Sequence, residues 1–490
     1  MKRYTPSTKH LTLLGGLLLG LYGTHVQAAC SPWTEGATYS VGQVVSHNGE
    51  NYTARLAHTL PAGSGLNPLL LLNSHWDRGG TCDDDAPDLP ATPPYDPFGS
   101  HPVKFLQTSG KVVGVYLPNW RSVSLVDQMR GHNVSHVLYA FMHICGPGQL
   151  PTDAAACQGK QDFQLATSSL DDDYNAAFMR LKQRAPHVRV VASVGGWGGS
   201  DPFFYLANDA AKRAVFAASA KDFLRKHPAF DGIDIDWENP TTNWAANGVQ
   251  LGTPADGQGF ADLMHDLRGE LDQLGGETRR HYSVTAAINT VSSMVSQINY
   301  RDAQKSMDYI FMMTYDFYGN WSSNVGNHTA LYANTNNDAQ LNVAGAVQNL
   351  LNAGVPAHKL VVGAGMYGRG FSGVVPTAAG SVIGGSKTGV YPGADGSETY
   401  STLYSNYIGS AGAGINGYQV IYDPQGHSYN LWNAASKVFI GYDDPRAVAE
   451  KGRYVRSKQL AGIFAWEYSQ DNGDILNAMN FGIGNRYIGQ

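Results

Sequence analysis

The chain has 490 residues, of which 43% are hydrophobic and 15% charged, and its formal net charge is −6. This composition excludes an intrinsically disordered chain, and the length is enough for two or three domains with at least one large core. The acidic balance argues against nucleic acid or an anionic membrane as a partner, because both select basic surfaces.

Residues 1–29 have the pattern of a secretory signal peptide. A basic start and a short apolar stretch at 11–22 precede the small residues Ala28 and Ala29, which offer a cleavage site. That stretch is too short to span a membrane comfortably, and no later run is long or apolar enough to do so, so we expect a secreted, extracellular protein. Because Cys30 follows the cleavage site directly, lipoprotein processing at that cysteine is the alternative.

The sequence contains four cysteines, Cys30, Cys82, Cys145 and Cys157. An even number in a secreted chain predicts disulfides, and four cysteines allow three pairings. We favour Cys30–Cys82 together with Cys145–Cys157, because each bridge then stays inside one segment of the chain. No spacing of cysteine or histidine is typical of a metal site, so we expect neither a metal ion nor another cofactor.

Composition divides the rest of the chain into segments. Residues 30–82 form a small, aromatic and turn-rich segment with short strand candidates. Residues 83–103 are rich in Asp and Pro, which predicts an extended linker because such a stretch cannot pack a core. Residues 104–490 form one large domain.

The large domain alternates short apolar runs with longer helical patterns, which predicts a parallel (β/α)8 barrel of the α/β class. Apolar residues from Phe260 to Leu274 have helical spacing, and Gly275-Gly276 is predicted to end that helix. A longer gap at about 372–440 predicts an α+β insertion between strands 7 and 8, and the N-terminal segment is predicted to be a small all-β module. The predicted strands are 112–117, 136–142, 188–194, 230–237, 282–289, 307–314, 360–365 and 460–466.

The fourth apolar run carries an alternating series of acids, Asp234, Asp236 and Glu238. Side chains alternate between the faces of a strand, so these acids share the face that lines the barrel interior. They rise toward the C-terminal rim, where barrel active sites lie. Like charges in a desolvated site cannot all ionise, so at least one of these carboxyls is expected to stay protonated, as a general acid requires.

Four motifs of this domain occur together in one enzyme family. They are D-x-x-D-x-D-x-E at Asp231, Asp234, Asp236 and Glu238, S-x-G-G at Ser193, Gly195 and Gly196, M-x-Y-D at Met313, Tyr315 and Asp316, and a final tryptophan, Trp466. Through these residues the chain, over about residues 111–480, resembles the family-18 glycoside hydrolases. The resemblance implies hydrolysis of β-1,4-linked N-acetylglucosamine polymers with retention of the anomeric configuration.

The resemblance also implies a role for each residue. Glu238 would be the general acid and base, and the substrate's own 2-acetamido oxygen would be the nucleophile. Asp236 would hold the acetamide N–H and Asp234 would share a proton with it, while Tyr315 would fix the acetamide oxygen with Asp316 beside it. Further positions similar to substrate-binding residues of the family are Trp466, Trp197, Trp321, Met313, Tyr367, Arg369, Ser193, Gly195 and Gly196.

The first strand departs from the family pattern. Many members carry Gly-Tyr there, with the tyrosine near the deep aspartate, whereas this chain has Gly114-Val115-Tyr116. The surroundings of Asp234, and with them the pH optimum, are therefore expected to differ from those of such members.

The N-terminal segment resembles chitin-binding modules of carbohydrate-binding families 5 and 12. The resemblance rests on Trp33, Tyr52, Trp76 and the residues spaced around them, and it assigns these three aromatic side chains to chitin binding. Leu56 and Leu66 stand where relatives carry aromatic residues, which predicts weaker binding.

The sequence thus predicts a secreted, monomeric chitinase acting on chitin and chito-oligosaccharides. An endo-β-N-acetylglucosaminidase of the same family, acting on N-glycans, is the enzymatic alternative, and the predicted module and insertion argue against it. The other alternative is a non-catalytic chitinase-like lectin, but such proteins typically lack the acid that Glu238 supplies.

Overall fold

The computed structural model describes residues 30–40, 43–48, 50–64, 66–72, 74–78, 96–98 and 103–489. The chain divides into two compact units, 1–91 and 92–490, which are treated separately below. The predicted signal peptide, most of the predicted linker, and Cys82 lie outside the described residues. Among the residues that the structure describes, no helix is both long and apolar enough to cross a bilayer.

The N-terminal unit is a small β structure. A central antiparallel sheet joins three of its strands, and two shorter strands pair beside it. Its buried core consists of Tyr39, Val45, Tyr52, Ala54 and Trp76. The strands are Thr38–Tyr39, Val44–His47, Glu50–Ala54, His58–Thr59 and Trp76–Arg78.

Within residues 103–489, eight parallel strands close into a barrel, which confirms the predicted fold. Each barrel strand pairs with the next one in chain order, from strand 1 to strand 8. Strand 8 then pairs with strand 1, which closes the ring. The barrel strands are Val112–Pro118, His136–Ile144, Arg189–Gly195, Gly232–Asp236, Ser283–Ile288, Tyr309–Met312, Leu360–Gly365 and Gly462–Trp466.

Helices surround the barrel, and local signals in the sequence fix their ends. The helix Ser169–Arg184 begins at a capping box, in which the Ser168 hydroxyl accepts from Leu170 N and the Asp171 carboxylate accepts from Ser168 N. The helices of the barrel are Ser124–Gln128, Ser169–Arg184, Pro202–Leu206, Ala210–Lys226, Asp256–Thr278, Ser292–Val295, Tyr300–Ser306, Val343–Asn352, Pro445–Ser457 and Asp474–Gly482. Short antiparallel strands Phe105–Leu106 and Arg486–Tyr487 pair with each other, and Leu165–Ala166 pairs with barrel strand 2.

Two details of the barrel bear on the sequence predictions. The helix Asp256–Thr278 runs through Gly275 and Gly276 and ends only at Arg279, which adopts a left-handed conformation, so the prediction that the glycines end it was wrong. A side chain at Gly275 would come within 2.7 Å of the Arg280 carbonyl oxygen, so this glycine serves close packing and not termination. The predicted disulfide Cys145–Cys157 is present, whereas the Cys30–Cys82 pairing stays a prediction.

The barrel has two cores, as the alternation of side chains in strand 4 predicts. Ile233, Ile235 and Trp237 belong to the large core between strands and helices. A smaller core fills the barrel interior, with Tyr116, Phe311 and other side chains of the inward faces. The acids of strand 4 therefore stand above a packed floor and not above an open channel.

An antiparallel sheet with a short helix and a π-helical turn is inserted between barrel strands 7 and 8. The sheet begins at Tyr367 and ends at Tyr442, slightly outside the predicted bounds of 372–440, because the chain passes into it almost directly from strand 7. The elements of the insertion are Tyr367–Ser372, Gly389–Val390, Ser397–Thr399, Tyr400–Leu403, Tyr404–Ile408, Gln419–Asp423, Ser428–Asn433 and Val438–Tyr442.

A buried ion pair clamps the two ends of this insertion. The Asp443 carboxylate accepts a hydrogen bond of 2.8 Å from Gly365 N, at the end of strand 7, and contacts Lys451 Nζ at 2.7 Å. Both charged side chains are almost completely buried, so each needs the other. The insertion is thereby held firmly against the barrel rim.

The first acid of the D-x-x-D-x-D-x-E motif, Asp231, lies at the opposite, N-terminal end of the barrel. Its carboxylate is 2% exposed and binds Lys182 Nζ. It also accepts hydrogen bonds from Arg280 Nη2 at 2.8 Å and Val190 N at 2.8 Å. Asp231 therefore ties three elements together far from the rim, which indicates a structural role.

We expect Asp231→Asn to lower the free energy of unfolding by about 3 kcal/mol, because it removes a carboxylate that is 2% exposed from its pair with Lys182, whose side chain is 17% exposed. Thermal unfolding measured by calorimetry tests this, and kcat of the folded variant at moderate temperature should stay close to wild type. The control Asp127→Asn breaks an exposed pair with Arg180 and should barely move the unfolding temperature. Equal unfolding temperatures for both variants would contradict the structural role of Asp231.

Candidate active site

The deepest predicted site residue, Asp234, is completely buried and surrounded by hydroxyl groups. Its neighbours in the sheet register are Ser193 on strand 3 and Thr285 on strand 5. Thr285 Oγ1 donates to Asp234 Oδ1 at 2.6 Å, and Ser193 Oγ donates to Oδ2 at 2.7 Å. Tyr116 Oη, from strand 1, donates to Oδ2 at 2.9 Å. Both carboxylate oxygens are thus occupied by the protein itself.

The tyrosine contact corrects an expectation drawn from strand 1. Gly114 and Tyr116 are two residues apart on one strand, so they share a face, and Tyr116 belongs to the core inside the barrel. Val115 lies on the other face and belongs to the core between strands and helices. The tyrosine that the family places near the deep aspartate is therefore present here as Tyr116, and the surroundings of Asp234 are not altered by Val115.

Asp236 has a different environment from Asp234. Its register neighbours are Gly195 on strand 3 and Ala287 on strand 5, neither of which offers a side-chain donor. Asp236 Oδ1 is buried without a hydrogen-bond partner among the described residues. Since a buried acceptor without a partner is costly, a hydrogen-bond donor on a ligand would satisfy this oxygen.

The two glycines of the S-x-G-G motif are required by space and by backbone conformation. Gly195 has a φ of +111°, and a Cβ there would lie 2.3 Å from the Asp236 carbonyl oxygen. Gly196 has a φ of +81°, and a Cβ there would lie 2.5 Å from the Phe141 ring. Gly196 N also donates to Asp236 O at 2.8 Å. Any side chain at either position would displace strand 4 or the aromatic wall beside it.

Glu238 follows the end of strand 4 at the rim. Its backbone N–H donates to Ser200 Oγ at 3.2 Å, and the residue as a whole is partly buried. Asp234, Asp236 and Glu238 thus form a column from the buried floor to the accessible rim, in the order that the sequence predicts.

Asp316, after strand 6, is held by residues of the insertion. Arg369 donates to its carboxylate from Nε at 2.8 Å and from Nη2 at 2.9 Å, and Tyr367 Oη donates at 2.7 Å. Both donors come from Tyr367–Ser372, the first strand of the insertion. Tyr367 and Arg369, predicted to bind substrate, are therefore placed so that they fix the charge and position of Asp316.

Burial and neighbouring charges divide the four acids into two kinds. Burial, reinforced by the charges of Glu238 and Asp234, raises the pKa of Asp236 well above its usual range. Burial also raises the pKa of Asp234, although its three hydroxyl donors oppose the effect. Burial together with the negative charge of Asp316 raises the pKa of Glu238 to about 7.

Asp316 differs from the other acids because a cation faces it. Burial alone would raise the pKa of Asp316, but the Arg369 guanidinium outweighs that effect and holds the pKa below its usual value. Asp316 is therefore ionised while Glu238 near neutral pH can carry a proton. A protonated rim carboxyl above buried acids is the arrangement that general acid catalysis requires.

The family model for glycosyl hydrolases family 18 matches residues 112–471, which include all of these acids. The chain belongs to glycosyl hydrolases family 18. A second model, carbohydrate-binding module family 5/12, matches residues 32–69.

Relatives of this family-18 hydrolase agree with that assignment. This chain is 36% identical to chitinase A of Pseudoalteromonas piscicida over 437 residues, and the match covers 76% of this chain and 52% of the relative. It is 34% identical to a chitinase of Autographa californica nuclear polyhedrosis virus, covering 76% of this chain and 72% of the relative. A chitinase from Bacillus thuringiensis has a similar structure, with a TM-score of 0.66 at 26% identity, covering 78% of this chain and 70% of that one. The match thus spans about half the length of the Pseudoalteromonas relative.

Aromatic rings line one side of the family-18 site. Trp466, at the end of strand 8, stacks on Phe141 with a centroid distance of 5.7 Å and lies 5.4 Å from the Tyr116 ring. Trp120 lies 6.3 Å from Trp466 and is 59% exposed. Trp120 and Phe141 were not predicted from the sequence. The usable signal for Trp120 was its place directly after strand 1, at the C-terminal rim.

Two other predicted tryptophans also lie exposed at strand ends. Trp321, in the loop after strand 6, is 57% exposed and has the Arg369 guanidinium over its ring at 5.3 Å. Trp197, directly after Gly196, is 59% exposed. The remaining predicted residues, Met313 and Tyr315, pack against the inner core and are only partly buried. Burial raises the pKa of Tyr315, which is near enough to Asp236, Asp316 and Glu238 for their charges to raise it further.

The structure changes the prediction for the N-terminal module. Trp76 is 0% exposed and Tyr52 is 1% exposed, because both form the core of this small unit. Their rings cannot stack on a sugar in this conformation, so the prediction that they bind chitin is replaced by a structural role. Trp33 is only partly buried and remains the candidate among the three.

A metal ion has no evident site in the described ranges of this family-18 hydrolase. Among those residues, no group of three or more His, Cys, Asp or Glu side chains is arranged to hold one.

Proposed function

We propose that this family-18 hydrolase is a secreted chitinase that cleaves β-1,4 bonds between N-acetylglucosamine units. The observation that carries the proposal is the column of Asp234, Asp236 and Glu238, whose upper acid has a pKa near neutrality beside an ionised Asp316. The chitinases among the relatives supply the substrate class. Release of chitobiose or N-acetylglucosamine from colloidal chitin by the purified protein tests it, and no soluble product would refute it.

The reaction needs one proton donor and one internal nucleophile. Glu238 transfers its proton to the glycosidic oxygen, the bond to the anomeric carbon breaks, and the carbonyl oxygen of the substrate's 2-acetamido group attacks that carbon. The resulting cyclic oxazolinium ion carries the positive charge. The Glu238 carboxylate then takes a proton from water as the water adds to the anomeric carbon, which opens the ring and restores the acid. Configuration is retained because the anomeric carbon is attacked twice and each attack inverts it.

Asp236 and Tyr315 serve the acetamide group in this scheme. Asp236 Oδ1, which has no partner among the described residues, accepts from the acetamide N–H and stabilises the positive ring. Tyr315 donates a hydrogen bond from its hydroxyl to the acetamide oxygen. Burial first of all, together with the nearby carboxylates, raises the pKa of Tyr315, so the hydroxyl stays protonated. The Trp466 ring supports the distorted sugar from below.

The enzymatic alternative, an endo-β-N-acetylglucosaminidase acting on N-glycans, would use the same acids. The family-5/12 module at 32–69 favours the polysaccharide. Parallel assays on chitohexaose and on a high-mannose glycoprotein separate the two activities. Cleavage of the glycoprotein alone would replace the chitinase proposal with the alternative.

The pH dependence of kcat follows from the charge of Asp316. The acid must be protonated, so kcat should fall as pH rises through about 7, the pKa of Glu238. Asp316→Asn removes the nearby negative charge, lowers the pKa of Glu238 and should move this alkaline limb to lower pH. Tyr367→Phe removes a hydrogen bond to Asp316 but no charge, so the alkaline fall of kcat in this variant should move less. A limb unmoved by Asp316→Asn would contradict the coupling.

We further propose that residues 30–91, which precede the barrel unit, form a tethered chitin-binding part of the enzyme, whereas Phe98 and Val103 of the predicted linker are buried in the barrel unit. Deleting them should lower activity on crystalline chitin and leave soluble chito-oligosaccharides almost unaffected, because a tether raises local concentration only at an immobile substrate. The loss is expected to be modest, since Leu56 and Leu66 replace aromatic anchors. Assays of both forms on β-chitin powder and a soluble hexamer test this. Equal loss on both substrates would mean that the segment supports the barrel.

A further inference from the structure

A second tryptophan stands next to Trp197 on the barrel rim. Trp244, in the loop between strand 4 and helix Asp256–Thr278, has its ring centroid 6.5 Å from that of Trp197, with the ring planes 44° apart. Trp244 is 47% exposed and Trp197 59% exposed. The two rings therefore present adjacent, accessible faces on the side of the rim that carries Glu238.

A network of polar groups, in which Asn243 and Asp201 are buried, holds together the loops that carry both tryptophans. Asn243 is 0% exposed, and its side-chain amide donates to Asp201 Oδ1 at 3.0 Å and to Val249 O at 2.7 Å. The Asn247 amide donates to Asp201 Oδ2 at 3.2 Å and also to the carbonyl oxygen of Gly198, next to Trp197. Asp201 thus joins the loop after strand 3 to the loop after strand 4.

The backbone at Trp244 supports a functional interpretation. Trp244 has a φ of +48° and Ala245 a φ of +54°, a left-handed conformation that bulky residues seldom adopt. Asn243 Oδ1 maintains it by accepting from Ala245 N at 3.0 Å and Leu251 N at 3.0 Å. A strained backbone and a polar network therefore hold a large apolar ring in a position where it stays exposed to solvent. Backbone strain of this kind concentrates at functional sites.

We propose that Trp244 and Trp197 together form a sugar-binding platform that extends the substrate cleft for longer chito-oligosaccharide chains. This inference rests on the proposed chitinase function. Flat apolar sugar faces suit exposed aromatic rings, and rings held rigidly before binding lose little entropy when the ligand arrives. Trp244 is thus a specificity-determining residue for chain length.

Binding by calorimetry in a Glu238→Gln background tests the platform without turnover. Trp244→Ala should weaken binding of the hexamer of N-acetylglucosamine by about fivefold or more and affect the trimer much less. Trp244→Phe, which keeps a ring, should restore most of the affinity. The control Val249→Ala changes an exposed apolar side chain of the same loop, 57% exposed, and should leave the affinity unchanged.

Hydrolysis of the hexamer by the wild-type protein, in which Glu238 is intact, distinguishes failure of the chitinase function from failure of the platform. If that protein does not cleave the hexamer, the chitinase function fails. If it does cleave the hexamer and Trp244→Ala binds the hexamer like its parent, the platform fails while the chitinase function stands. Equal loss for trimer and hexamer, or a lowered unfolding temperature that Trp244→Phe does not restore, would also overturn the platform by showing that Trp244 only supports the loop.

Discussion

Replacing Glu238 with glutamine is expected to lower kcat on soluble chito-oligosaccharides by roughly 10²–10⁴-fold while leaving their binding nearly unchanged. Glutamine keeps the shape and hydrogen bonding of the side chain but has no proton to transfer to the glycosidic oxygen. Steady-state kinetics on the hexamer give the loss in kcat, and calorimetry gives the affinity. Near-wild-type turnover would place the acid elsewhere.

The control for this variant makes the same chemical change away from the rim. Glu450→Gln lies on helix Pro445–Ser457, where Glu450 Oε1 contacts His427 Nδ1 at 2.6 Å. Its kcat should match that of the wild type. Both variants should unfold near the wild-type temperature, so that a loss of activity at Glu238 reports chemistry and not folding.

Asp236→Asn should lower kcat by roughly 10²–10³-fold on acetylated substrates, the cost typical of removing one preorganised electrostatic contact to a charged intermediate. The reason is that the asparagine dipole cannot replace the carboxylate that faces the oxazolinium ring. Tyr315→Phe should also reduce kcat strongly, because it removes the hydroxyl that orients the acetamide oxygen. Progress curves on a defined tetramer measure both losses.

Tyr116→Phe is the matched control for these variants. Tyr116 donates to Asp234, whose two carboxylate oxygens are bound by the protein itself, and two other hydroxyls still bind that carboxyl group. Its loss should be about tenfold or less, the effect of one hydrogen bond. A Tyr116→Phe loss as large as that of Asp236→Asn would mean that Asp234, and not Asp236, controls the charge on the intermediate.

Strand periodicity was sufficient to predict the arrangement of the acids. Because side chains alternate along a strand, Asp234 and Asp236 had to share one face, and the apolar residues between them identified that face as interior, whereas Glu238 lies just after the end of the strand. The same rule, applied to Gly114 and Tyr116, would have placed Tyr116 in the barrel beside Asp234. The expectation of altered surroundings arose because the tyrosine was sought next to the glycine in the chain and not two residues later.

What sequence could not supply was the approach of residues distant along the chain. The Arg369 contact to Asp316 spans strands 6 and 7, and only the folded barrel brings the two together. Trp120 and Trp244 lie in loops, whose conformations no periodic pattern encodes. Trp76 fits equally well, by residue type alone, in a small core or on a binding face, and only its burial in the folded structure decided between these roles.

The most direct test of the account is the anomeric configuration of the first products. In a substrate-assisted mechanism the acetamide oxygen and then water attack opposite faces of the anomeric carbon. Chitohexaose should therefore release products whose new reducing ends are initially β. Proton NMR spectra collected before mutarotation distinguish the two anomers. The account predicts the β-anomer, together with no cleavage where glucosamine occupies the donor side. An initial α-anomer, or cleavage between two glucosamines, would contradict the acetamide as nucleophile.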